Sequence, residues 1–86
     1  MQAHDIEDRV MAELAAMPGL LVDPDDIKPG MHLREDLGLE SVSLILLIVA
    51  IEDAFNIRVD PLAADLEEAL ESVTSLIAFV LGQLGQ

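Results

Sequence analysis

The stretch "SLILLIVAIEDAF", Ser43 to Phe55, limits what this chain can become. Eight consecutive residues, Leu44 to Ile51, are apolar. A buried strand can show such a run as readily as a buried helix. Length separates them: from Ser41 the pattern continues through Glu52-Asp53-Ala54-Phe55 for about four helical turns, too long for an ordinary strand. The spacing predicts a helix over 41–55, with Leu44, Leu47, Ile48, Ile51 and Phe55 as its core stripe. Ser43, Leu46, Ala50 and Asp53 fall on the other side, so Leu46, flanked by Ile45 and Val49, is expected to be partly exposed.

The rest of the chain has the same period. Ile6, Val10, Leu14 and Met17 predict a first helix over 4–17, ended by Pro18-Gly19, with Asp5, Glu7 and Asp8 in its first turn. Asp60-Pro61 reads as a start signal for a third helix over 61–69. Ser72 or Thr74 can cap a fourth over 73–83, whose apolar face is Val73, Leu76, Ile77 and Val80. Between the first two helices, residues 18–39 carry three prolines and three glycines. Leu21, Val22, Ile27, Met31, Leu33 and Leu37 are spread through that segment and are expected to pin it to the core. With 86 residues, 52% hydrophobic and only two aromatic, the chain reads as one all-α domain over 1–86, a small helical bundle with a long first loop.

Composition removes several functions. There is no cysteine, so no disulfide, thiolate metal site or thiol nucleophile is available. Four basic residues against seventeen acidic ones give a net charge of −13, which disfavours nucleic acid as a partner and favours basic protein surfaces. No apolar run is long enough to span a bilayer, and the acidic start "MQAHDIEDRV" is not a secretory signal. A cytoplasmic setting is expected.

The chemical motifs fail in turn. From Asp23, the acidic loop places Ile27, Lys28 and Arg34 where an EF-hand needs an acid or amide, glycine and glutamate, so no metal site is assigned. "GLESVS" lacks the second glycine of the G-x-S-x-G nucleophile elbow. His4 and His32 are the only histidines; sequence leaves open an approach of His32 to Ser41, but a triad also needs an orienting acid and an oxyanion hole. No phosphate-binding glycine loop is present. Ser41 remains, after a glycine turn at the start of the second helix, where free N–H groups and the helix dipole favour an anion. The same position equally suits an ordinary helix cap.

The residues around it resemble the acyl carrier protein family. Glu35-Asp36-Leu37-Gly38 corresponds to that family's acidic-Leu-Gly turn, and Glu40-Ser41-Val42 stands where the family has Asp-Ser-Leu. Ile51-Glu52-Asp53-Ala54-Phe55 resembles the end of its second helix, Ile57 and Val59 the short segment after it, and "SVTSLIAFV", Ser72 to Val80, its last helix. The resemblance implies a four-helix bundle that is not itself an enzyme. Ser41 would carry 4′-phosphopantetheine, installed from coenzyme A by a separate phosphopantetheinyl transferase. The arm would hold acyl groups as thioesters and present them to acyltransferase, ketosynthase or acyl-ligase type enzymes. Fatty-acid, polyketide or other specialised acyl metabolism is the implied setting for a stand-alone carrier. A peptidyl or aminoacyl carrier of a nonribosomal pathway and an unmodified interaction module are the alternatives.

Glu40, Val42, Leu46, Val49, Glu52 and Asp53 are the expected partner-recognition residues. A monomer is expected, although an exposed apolar patch can drive self-association. Three features depart from the family pattern. Glu40 replaces aspartate, Ser43 and Leu46 replace acids on the second helix, and Pro61 to Glu71 is longer than usual, which implies an extended or displaced third helix.

Overall fold

In the computed structural model, the described residues are 3–60, 62 and 65–85. Among them lie four α-helices, one 3-10 turn and no strand: α1 (Ala3–Ala15), the turn Pro24–Asp26, α2 (Ser41–Phe55), α3 (Leu66–Ala69) and α4 (Val73–Gln83). The fold is an all-α bundle. α1 packs against both α2 and α4, and α3 packs against α4.

Each long helix buries the stripe its period defines. Ile6, Val10 and Leu14 of α1 are fully buried, as are Val73 and Val80 of α4, and Leu47 of α2 meets them in one continuous core. Leu44, Ile51 and Phe55 complete the inner face of α2, while Ile48 is only half-buried, at the margin of the stripe.

α1 stops two residues before the expected Met17. Ala16 still donates to Ala12 O, but Met17 N–H reaches back only to Leu14 O, 3.1 Å, the spacing of a tightened last turn. Pro18 disfavours helical geometry at Met17, and Gly19 turns the chain with φ +81°. Met17 is nevertheless buried.

The third helix departs further from the expected 61–69. Its described span is Leu66–Ala69, one turn, with Leu66 and Ala69 facing inward. Asp60 does act as a local cap, accepting from Leu62 N–H at 2.9 Å, but Leu62 sits in a turn and is 90% exposed. Pro61 and positions 63 and 64 lie outside the described residues. Leu62 stands four residues before Leu66 but stays exposed, so it adds nothing to the buried face. The described turn of helix lies at the α4 end of the expected span.

The long segment between α1 and α2 behaves as core. Ile27, Leu33, Leu37 and Leu39 are buried, and Val22 and Met31 pack against the cluster. Leu21 is the exception: at 71% exposure it does not enter the core. The segment is also clipped to the start of α4. Thr74 N–H donates to Pro29 O, Val73 N–H to Met31 O, and Leu33 N–H to Glu71 O, all between 3.0 and 3.1 Å. Ser72 supplies the cap: its hydroxyl accepts from Ser75 N–H while Ser75 Oγ accepts from Ser72 N–H. The first three N–H groups of α4 are therefore all used, two of them by the loop.

Because Leu33 is a loop residue with the burial of a helix core position, Leu33→Ala is expected to cost about 2–5 kcal/mol, the range for Leu47→Ala. Chemical denaturation of both variants, followed by helical circular dichroism, measures this.

Candidate functional site

The buried leucines of the loop deliver the chain to Ser41 in a fixed way. Asp36 Oδ2 accepts from His32 N–H at 2.8 Å, and Asp36 and Leu37 N–H both return to His32 O. This closes a compact turn over 32–37. Gly38 then takes φ +75°, a left-handed conformation that costs other residues strain. A side chain is excluded here for a second reason. A Cβ at position 38 would come within 2.8 Å of Leu21 Cδ1, and closer still to Cγ. Leu39 is buried, and Glu40 opens α2 in extended geometry.

Ser41 is the first residue of α2 and is exposed. It borders an open cleft of about 680 Å³ lined by Leu21, Arg34, Gly38, Leu39, Glu40, Ser41 and Val42. The contrast with α4 is direct. No described residue accepts from the N–H groups of Ser41, Val42 or Ser43, while the matching groups of α4 are all bonded. Glu40 stands at the cap position, but its carboxylate makes no cap hydrogen bond. Aspartate, which the family pattern carries at this position, is among the preferred N-cap residues, and glutamate is not. The start of α2 is therefore left with free donors and the positive end of a four-turn helix, beside an accessible hydroxyl.

His32 does not line this cleft. Its backbone is engaged in the 32–37 turn and in a bridge to Ser72, at the α4 end of the loop. Asp23, the first acid of the acidic loop, accepts from Asp25 N–H at 3.0 Å and caps the 3-10 turn. Among the described residues no cluster of three or more His, Asp or Glu side chains is placed to hold a metal ion.

The residues expected to meet a partner divide into two kinds. Val42, Leu46 and Val49 are exposed at 70%, 50% and 47%, and Ile45 at 60% joins them, as its flanking position on the helix suggested. Together they form an apolar band along the outer face of α2, starting next to Ser41. Glu40 and Asp53 are exposed at its two ends. Glu52 is half-buried and committed to structure: its Oε2 accepts from Val59 N–H at 2.9 Å, and its backbone carbonyl accepts from Ile57 N–H, across the left-handed Asn56 that ends the helix. Leu21 and Arg34 of the cleft were not singled out as site residues from sequence. Nothing local marks them, because the long loop brings them to Ser41 only once it has folded.

Known proteins resemble this chain over most of its length. The family model described as "Phosphopantetheine attachment site" matches residues 8–80. The chain is 34% identical over 61 residues to an acyl carrier protein of Sulfurovum sp., covering 71% of this chain and 77% of that protein. It is 36% identical over 59 residues to an acyl carrier protein of Desulforapulum autotrophicum, covering 69% and 73%. A mitochondrial acyl carrier protein of Neurospora crassa is 33% identical over 61 residues, which are 71% of this chain and 43% of that longer protein.

Glu40→Asp is expected to supply a side-chain cap and raise stability by about 0.5–1 kcal/mol. The measurement is the shift in denaturant midpoint relative to the parent chain.

Proposed function

The chain belongs to the acyl carrier protein family, whose covalent prosthetic group is 4′-phosphopantetheine, and on that premise we propose that Ser41 is the residue that carries it. The observation that supports this most is the exposed hydroxyl at an open helix N-terminus with three free N–H donors. The residues fit the group: a phosphodiester on Ser41 would meet unpaired donors and the helix dipole, and the cleft leaves room for the pantetheine beyond it. In the modification, Ser41 Oγ bonds to the pantetheine-side phosphorus of coenzyme A. The pyrophosphate linkage breaks, adenosine 3′,5′-bisphosphate leaves, and the hydroxyl proton passes to a base of the phosphopantetheinyl transferase. The serine then needs no histidine of its own.

Carriers of this family are not catalysts. The arm supplies a thiol, absent from this cysteine-free chain, that holds acyl groups as thioesters. Tethering raises the effective concentration of the cargo at each partner active site. We assign the chain to fatty-acid, polyketide or other specialised acyl metabolism in the cytoplasm, serving acyltransferase, ketosynthase or acyl-ligase type enzymes. Among the described residues, no helix is long and apolar enough to cross a membrane.

The docking face we assign is the outer side of α2. Val42, Leu46 and Val49, with Ile45, form its apolar centre, and Glu40 and Asp53 are its charged ends. A partner matching it presents apolar side chains bordered by basic ones, since a net charge of −13 repels a second copy.

Two outcomes are expected. Incubation with coenzyme A and a broad-specificity phosphopantetheinyl transferase adds one phosphopantetheine by intact mass, and Ser41→Ala abolishes the gain. No gain with several transferases would leave an unmodified interaction module as the function. Separately, Leu46→Glu is expected to keep the melting curve within a few degrees while lowering acyl transfer by a partner enzyme at least tenfold, because the side chain is half exposed and outside the core. Loss of folding in that variant would remove the docking assignment.

A further inference from the structure

Resting on the assignment of the arm to Ser41, we propose that Arg34 and Leu21 form a seat for the first part of that arm, so that it leaves Ser41 along the cleft and not directly into solvent. The phosphodiester adds a negative charge to a chain already at −13, beside Glu40, the one carboxylate in the cleft lining. Repulsion alone would drive the arm outward. Arg34 is the one cation in that lining, and no described acid pairs with it. By contrast, Arg9 is taken by Glu13 at 3.1 Å. A guanidinium presents a planar fork of donors that suits phosphate oxygens.

Beyond its phosphate, the arm carries a quaternary carbon with two methyl groups. Leu21 and Val42 are the exposed apolar side chains of the lining, at 71% and 70%. A single exposed leucine ordinarily needs no explanation. Leu21 differs because it is held in place. Its N–H donates to Leu37 O at 3.0 Å, and its side chain lies against the bare α-carbon of Gly38. The glycine thus lets Leu21 approach within one side chain of the helix start, where it is pinned from behind and open in front. The lining thus offers a cation for the phosphate and apolar side chains for the hydrocarbon next to it.

The test uses the full chain, isotopically labelled, with an unlabelled arm, alongside Leu21→Ser, Arg34→Gln and, as a control cation outside the cleft, Lys28→Gln. Intact mass is read first; no gain overturns the assignment of the arm and this seat with it. With the arm attached, isotope-filtered NMR is expected to show cross-peaks from the arm's two methyls to the Leu21 methyls, lost in Leu21→Ser. The 31P resonance is expected to shift in Arg34→Gln and to stay in place in Lys28→Gln. Full mass gain with no cross-peaks to Leu21, or a 31P resonance indifferent to Arg34→Gln, overturns the seat while leaving the arm on Ser41.

Discussion

The carbonyls of Pro29 and Met31 hold this structure together. A loop of more than twenty residues would ordinarily be a source of conformational freedom in so small a chain. Here two of its carbonyls accept the first N–H groups of α4, and Thr74 Oγ1 adds a second bond to Pro29 O at 2.6 Å. These bonds satisfy helix donors that would otherwise be orphaned, and they anchor the loop to the start of α4. With that anchor in place, Leu33, Leu37 and Leu39 can be buried one after another. Once they are buried, Gly38 and Glu40 have one path to take, and Ser41 emerges at a defined point.

The two main helix starts show how one local device serves opposite ends. α4 begins with a reciprocal Ser72–Ser75 box and loop carbonyls, so nothing there is left to bind an anion. α2 begins with an unproductive Glu40 and three unused N–H groups. A fully capped α2 would add stability and leave fewer free donors at its start. Stability is concentrated at the helix that clips the loop, and unsatisfied donors at the helix that begins with Ser41.

The outer face of α2 adds a second asymmetry. In a chain so acidic, an apolar band of Val42, Ile45, Leu46 and Val49 is conspicuous. Burial of such a band on association is favourable through area, whereas the surrounding acids act at longer range on orientation and encounter. On the docking face proposed above, the two contributions would suit an interaction that forms and dissolves repeatedly, with charge acting on encounter and a narrow apolar contact limiting the lifetime of the complex.

The helical class was legible in the chain itself, because periods near 3.6 in α1, α2 and α4 are set by side chains a few residues apart. So was the family, since the acidic-Leu-Gly turn, the serine and the end of α2 form one continuous stretch. Local signals failed where burial decides. Asp60-Pro61 announced a helix whose apolar anchor does not arrive until Leu66, and the period of α1 ran on to a buried Met17 after Pro18 had already ended the helix. The leucines of the loop looked alike in sequence, yet Leu33 and Leu37 entered the core while Leu21 was left outside against Gly38. By itself, then, the sequence determined helices, charge and a marked serine, all of which depend on neighbours along the chain. Only the tertiary structure decided which N–H groups were consumed, which apolar face stayed in water, and that Arg34 and Leu21 stand beside Ser41, because those outcomes depend on residues that meet only when the loop closes on α4.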